Sequence, residues 1–238
     1  AAFYVGRWPE LTRENIAWLS VSSWVGILVG DTALFVCMNR LGPRRSGVLF
    51  ATHALFSALF AWLFLGETLW GMTLMGSGVL VSGVMVAIVW GRRGEETHAW
   101  ENTQGTLWMG VAMGLLAAVG QAVATLMIKP LMSTGIDAVA ASAVRATASF
   151  VAHLLLLWAG LGIAKLANPL NWKTLLNTAL SAGISMVIGM TLILQALKTG
   201  QANLVAIFSS IAPVLLLPLL WAVYRRQPAA GAWWGGAM

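Results

Sequence analysis

Long apolar runs separated by short polar gaps dominate the chain from residue 16 onward. A helix that crosses the hydrocarbon core of a bilayer needs about 20 mostly apolar residues. Seven runs reach this length, and each predicts one transmembrane helix. They cover residues 16–38, 46–65, 69–90, 107–128, 138–163, 174–197 and 203–224. Tryptophans mark the ends of several runs, as expected for rings that sit among lipid headgroups: Trp18, Trp70, Trp90, Trp108, Trp158 and Trp172.

The two ends of the sequence resemble parts of further helices. An eighth apolar run begins near Ala229, but only about ten residues follow, which is too few to cross a bilayer. Residues 1–5 have the character of the end of an earlier helix. We therefore expect this sequence to be a fragment of a longer protein.

Composition narrows the class of protein. Hydrophobic residues make up 59% of the chain and charged residues only 9%, whereas a soluble domain carries roughly 25% charged residues. The net charge is +6, but the basic residues are scattered between apolar runs and form no stripe for a nucleic acid. Cys37 is the single cysteine, which excludes a disulfide framework and a CxxC motif. The sequence predicts an all-α, polytopic membrane helix bundle.

A polar segment divides the chain into two apolar halves. We predict three parts: residues 1–91, a hydrophilic linker at 92–106, and residues 107–238. When the chain is shifted against itself by 159 residues, the run at 16–38 falls on the run at 174–197, and the run at 46–65 falls on the run at 203–224. Helix, short loop, helix, turn and glycine-bearing helix then recur in the same order, which indicates an internal repeat.

Short motifs in both halves are similar to a known repeat. In the first half, residues 41–45 (LGPRR) precede an apolar helix that ends at residues 65–67 (LGE), and Gly76 and Gly83 follow. In the second half, residues 195–202 (QALKTGQA) lead into a helix with Pro213, and residues 226–228 (RQP) come after it. These stretches resemble the EamA-type repeat of the drug/metabolite transporter superfamily.

The resemblance implies a fold and a place for the substrate. Members of that superfamily are ten-helix carriers built from two inverted five-helix repeats, so seven complete helices of ten are expected here. It implies a central cavity that opens alternately to the two sides of the membrane, lined by the runs that start near residues 16, 46, 107, 174 and 203. Two departures, Ala54 in place of a frequent proline and Arg226 in place of glutamate, put a strict symmetry of the two gates in doubt.

Ionisable side chains inside the predicted helices are few, and each costs about 2.5 to 3.5 kcal/mol at a helix centre. Asp31 is interpreted either as a substrate or proton site or as one partner of an interhelical ion pair, with Arg145 as the candidate partner. His53 is interpreted either as a proton-exchanging residue, because imidazole titrates near neutral pH, or as a histidine hydrogen-bonded to a neighbouring helix. Arg145 and His153 lie on one polar stripe, and we interpret Arg145 as structural.

Uncharged polar residues complete the predicted cavity wall. Together with Asp31 and His53, the predicted substrate-binding residues are Gln121, Thr191, Gln195, Ser209 and Ser210. Any one of them is equally compatible with a hydrogen bond between helices. Glycines four residues apart predict closely packed helices: Gly26 with Gly30, Gly110 with Gly114, and Gly231 with Gly235.

The sequence contains no Walker loop, HExxH, GxSxG or paired-carboxylate motif, so we expect no enzyme, no cofactor and no metal site. Orientation has two opposed indications. The loops on one side hold nine basic residues against four on the other, which places the first side in the cytoplasm. The family resemblance places it outside.

The leading hypothesis is an inner-membrane secondary transporter, an exporter that moves a small organic metabolite such as an amino acid or amine by alternating access. Its expected partners are the lipid bilayer, the small-molecule substrate and a proton as candidate coupling ion, with no nucleic acid, and we expect a monomer or homodimer. The alternatives are a non-transporting membrane protein, such as an assembly partner or intramembrane enzyme, and a carrier of nucleotide sugars or phosphate esters. The last would need more cavity cations than Arg145 and Lys129.

Overall fold

A computed structural model describes residues 11–67, 71, 75–76, 78–79, 82–83, 106–160 and 171–210. The helices with defined bounds are α1 (Arg13–Leu41), α2 (Pro43–Ala51), α3 (His53–Leu65), α4 (Leu107–Ser133), α5 (Ala138–Trp158), α6 (Trp172–Thr199) and α7 (Ala202–Ser209). Helices α2 and α3 follow one another directly, with only Thr52 between them, within the apolar segment Arg45–Leu65.

Five of the described segments are long and apolar enough to cross a membrane, by length and composition: Arg13–Leu41, Arg45–Leu65, Leu107–Ser133, Ala138–Trp158 and Trp172–Thr199. Across the described ranges no strand interrupts them. The predicted all-α, polytopic membrane bundle is therefore confirmed. Most of the predicted run at 69–90, nearly all of the linker, and residues 161–163 and 211–224 lie outside the described residues, as do the two chain ends.

Local capping explains where the helices begin and end. Helix α1 begins before the predicted residue 16 because the Thr12 hydroxyl accepts a hydrogen bond from the Asn15 N–H, an N-cap contact. It ends at Gly42, whose φ of 80° suits glycine, and Pro43 then starts α2. Helix α5 ends at Trp158, five residues before the predicted end, where Gly160 adopts a φ of 70°.

Two of the long helices contain a π-helical segment. In α1 the segment is Trp24–Asp31, and in α6 it is Gly183–Gly189. The two segments begin 159 residues apart, which is the offset of the predicted repeat. This agreement supports the repeat, whose boundaries stay a prediction. π-helical turns are rare in proteins and are frequent at functional sites.

The chain divides into two compact units, and each combines segments from both sequence halves. The first unit contains Ala1–Leu28 and Ala124–Gly200, and the second contains Val29–Val123 and Gln201–Met238. In the first unit α5 packs against α1 and α6. In the second unit α3 packs along α7.

Close glycine packing in the second unit bears out one sequence prediction. A Cβ atom on Gly110 would lie 2.7 Å from Leu41 Cγ, and one on Gly114 would lie 2.9 Å from Cys37 Sγ. Since real Cβ contacts essentially never fall below 3.0 Å, only glycine allows α4 to approach α1 this closely. The contacts of Gly110 with Leu41 and Gly114 with Cys37 also show that these two helices run antiparallel.

Candidate functional site

The most informative polar contact in the second unit joins α3 to α7. His53 is 4% exposed, and its Nε2 lies 3.1 Å from Ser209 Oγ. Its Nδ1 lies 3.1 Å from the carbonyl oxygen of Phe50, one turn earlier in the chain. Both His53 and Ser209 belong to the predicted cavity wall, and the fold brings them together across 156 residues of sequence. The interpretation of His53 as hydrogen-bonded to a neighbouring helix agrees with this contact.

Counting hydrogens shows that this contact has two states. Ser209 Oγ also lies 2.9 Å from the Ala206 carbonyl oxygen, to which it donates. A serine hydroxyl has one hydrogen, so while it donates to Ala206 it can only accept from His53 Nε2. Because the Phe50 carbonyl also only accepts, both ring nitrogens then donate, and the ring is an imidazolium. A neutral ring that keeps its Nδ1 hydrogen requires the Ser209 hydroxyl to turn from Ala206 to Nε2.

A carboxylate fastens the other end of the same helix pair. The Glu67 side chain accepts a hydrogen bond from the Ala202 N–H at 2.8 Å and from the Asn203 N–H at 3.3 Å. These amides belong to the first turn of α7, where N–H groups have no partner within the helix and a negative charge is favoured. Glu67 follows the C-terminus of α3, so α3 and α7 run antiparallel. They are linked by Glu67 at one end and by His53 at the other.

The remaining predicted residues of the second unit lie on three different helices. Asp31, the last residue of the first π-helical segment, is partly buried, and so is Gln121 on α4. Both take part in polar interactions. Ser210 is buried, and its hydroxyl donates to the Ile207 carbonyl oxygen at 2.7 Å.

In the first unit a buried cation joins α5 to α1. Arg145 is 1% exposed, and its Nη1 donates to Ser22 Oγ. Ser22 passes its own hydrogen to the Leu19 carbonyl oxygen at 2.8 Å. Two residues further along α1, Trp24 Nε1 donates to the Ala148 carbonyl oxygen at 3.3 Å. Both contacts advance together along the two helices, so α1 and α5 run parallel. This arrangement agrees with a structural role for Arg145.

Helix α5 also reaches the second π-helical segment. Ser142 Oγ donates to the Met186 carbonyl oxygen at 3.3 Å. The other two predicted residues of this unit, Thr191 and Gln195, lie after that segment on α6, where Thr191 is partly buried and Gln195 is exposed. His153 is exposed and faces its own helix, with Nδ1 2.8 Å from the Ser149 carbonyl oxygen.

Lys129 serves a helix end. Its Nζ donates to the carbonyl oxygens of Leu197 at 2.8 Å and Gly200 at 2.7 Å. The last carbonyls of a helix have no partner within it, and a cation there is favoured by the helix dipole. Lys129 therefore caps the C-terminus of α6.

Sequence reasoning missed the contacts of Lys129 and Glu67, and it also missed Ser57. Ser57 is fully buried on α3, and its hydroxyl has no hydrogen-bond partner among the described residues. Its spacing of four residues from His53 places both on one helix face and was the available signal. Within the described ranges no group of three metal-ligating side chains converges.

Comparisons with known proteins agree with this architecture. A family model described as "EamA-like transporter family" matches residues 1–89 and 108–238. No curated protein matches the sequence. Among 18 matching chains of solved structures, one described only as "Crystal structure of protein" is 19% identical, covers 93% of this chain and 72% of its own, and superposes with a TM-score of 0.68. At that identity the likeness concerns the fold.

Proposed function

The chain belongs to the EamA-like transporter family, and from this premise we propose that it exports a small organic metabolite, such as an amino acid or amine, across the inner membrane by alternating access. The family membership confirms the resemblance inferred from the motifs at residues 41–45 and 195–202. The protein is accordingly a multi-pass membrane transporter of the drug/metabolite type, with the lipid bilayer and a small-molecule substrate as its partners.

The contact between His53 and Ser209 is the observation that carries the proposal. In hydrocarbon a buried polar pair is expensive unless it is used for packing or for ligands. This pair includes the one group among the predicted wall residues that can gain a proton near neutral pH. It lies between two helices that the family resemblance assigns to the cavity wall. Around it we place Asp31, Gln121, Thr191, Gln195 and Ser210 as the other substrate-binding residues.

The same contact supports a proton as the coupling ion. Loading a proton on His53 turns the Ser209 hydroxyl toward the Ala206 carbonyl, and unloading turns it back. The helices α3 and α7 stay joined in both states. A carrier needs its coupling site to bind and release an ion without losing its fold, and this exchange of one hydrogen meets that need.

The two named cations argue against phosphate esters as substrates. Lys129 is bound to two carbonyl oxygens at the end of α6, and Arg145 is held at the contact between α5 and α1. A phosphate group is usually held by several Arg or Lys side chains. Their use in helix contacts favours a substrate with a single carboxylate or amine.

Transport in membrane vesicles tests the proposal. Vesicles containing the protein are loaded with radiolabelled amino acids and amines, and exchange is measured with an internal pH dye. We expect movement of at least one class of probe, accompanied by proton movement, and loss of it in Asp31→Asn and His53→Ala at equal protein level. His153→Ala removes an exposed histidine and serves as the matched control. Full transport in both Asp31→Asn and His53→Ala would remove these residues from the site.

A further inference from the structure

Hydroxyl groups on the helices of this chain usually donate to a carbonyl oxygen of their own helix. At the four-residue spacing this holds for Ser20, Ser46, Ser82 and Ser133, and at the three-residue spacing for Ser22, Thr52, Thr134, Ser209 and Ser210. In an apolar surrounding this local bond is the simplest way to satisfy the hydroxyl. A buried serine that does not make it needs another explanation.

Ser57 is such a serine. It is fully buried in the middle of α3, and its Oγ has no partner among the described residues. The carbonyl oxygen four residues earlier belongs to His53, and the remaining neighbours on the buried face of α3 are Ala54, Ala58 and Ala61. Packing against alanines does not require a hydroxyl at this position. Leaving it unsatisfied costs free energy that alanine would avoid.

The position of Ser57 supplies the explanation. It lies one helical turn from His53 on the same face, so the two side chains are neighbours. That face belongs to the helix that packs along α7, which carries Ser209. In the chain as described, the hydrogen of Ser57 is the one donor on this face that is not already used.

We propose that Ser57 is a further substrate-contacting residue, whose hydroxyl donates a hydrogen bond to an acceptor oxygen of the transported molecule beside His53. This inference rests on the proposed function. The acceptor is of the carboxylate or carbonyl class, because the hydroxyl offers a donor and a protonated imidazole next to it favours a negative charge. When no substrate is bound, the hydroxyl stays free at a cost in stability.

The test compares Ser57→Ala with Ser46→Ala in the vesicle transport assay and in thermal unfolding in detergent. Ser46 is also fully buried, but its hydroxyl donates to the Gly42 carbonyl oxygen at 2.8 Å. For Ser57→Ala we expect an unchanged or higher Tm and a KM raised about tenfold for carboxylate-bearing probes. For Ser46→Ala we expect a lower Tm and an unchanged KM.

A second measurement uses accessibility. In a Cys37→Ser background, which removes the only cysteine of the chain, Ser57→Cys should react with a charged methanethiosulfonate reagent, while Ser46→Cys should not. An unchanged KM in Ser57→Ala overturns the proposal, and so does a lack of labelling of Ser57→Cys in a transporting protein. If the unmodified protein moves none of the probes, the proposed function fails, and labelling still decides whether a ligand can reach Ser57.

Discussion

The substitution Gly114→Ala should destabilise the protein, although alanine is the better helix former. A Cβ atom at position 114 would lie 2.9 Å from both Leu49 Cγ and Cys37 Sγ, whereas ordinary contacts begin near 3.4 Å. Each neighbour must therefore retreat by about 0.5 Å or more. Neither has free space, because Leu49 is 5% exposed and Cys37 is fully buried. Moving Cys37 also disturbs its hydrogen bond to Ser46 Oγ at 3.1 Å.

The magnitude follows from two opposed contributions. Replacing a glycine inside a helix by alanine gains up to about 1 kcal/mol, and adding a methyl group to a tightly packed contact costs about 1–3 kcal/mol. Gly183→Ala on α6 is the matched control, because a Cβ atom there would meet nothing within 4 Å. We expect the free energy of unfolding of Gly114→Ala to lie about 1–3 kcal/mol below that of Gly183→Ala.

Reversible unfolding in mixed micelles, followed by circular dichroism, measures the difference. A double-mutant cycle with Leu49→Ala isolates the cause, because a shortened side chain at position 49 makes room for the new methyl group. In that background Gly114→Ala should lose most of its cost. The reasoning is refuted if Gly114→Ala is as stable as Gly183→Ala, or if its cost is the same in both backgrounds.

Two further substitutions probe the polar contacts, each measured as the free energy of unfolding in micelles. Glu67→Ala removes the acceptor at the first turn of α7 and should cost about 0.5–2 kcal/mol, with Glu67→Gln intermediate; equal stability of all three proteins would contradict a capping role. Ser22→Ala removes the acceptor of Arg145 and should cost about 1.5–3 kcal/mol without changing the KM for transport. Ser20→Ala is its control, because Ser20 bonds only to Ile16 of its own helix; a raised KM in Ser22→Ala would instead place Arg145 in the substrate site.

The helices could be predicted from the sequence because about 20 apolar residues in a row have few other stable solutions. Their ends depended on single capping residues, so the predictions at Thr12 and Gly160 were displaced by a few residues. The π-helical segments could not be predicted, since a shift of backbone hydrogen bonds by one residue leaves no mark in an apolar composition. Their equal offset became meaningful only once the repeat had been proposed.

The candidate site divides in the same way. His53 and Ser209 could each be selected, because a polar side chain inside an apolar run is costly. That they bond to each other depends on how two helices 156 residues apart meet, and no local pattern contains that information. Lys129 and Glu67 were read as loop charges. Their roles as caps depend on which helix ends lie beside them, which is again a tertiary property.

The contact between α3 and α7 is strong enough to be specific and weak enough to work in a transport cycle. Between its two polar ends, the buried residues of both helices are mostly alanine: Ala54, Ala58, Ala61, Ala202 and Ala206. Such small side chains bury little area, so the polar contacts contribute a large share of the pairing. In a bilayer each is worth about 0.6–2 kcal/mol, which changes an equilibrium by roughly three- to thirtyfold. Under the proposed function, a proton on His53 exchanges one of these bonds for another of similar strength, so the two states stay nearly balanced. A carrier that must return to its starting state needs this balance, which a single strong buried ion pair at the same place would remove.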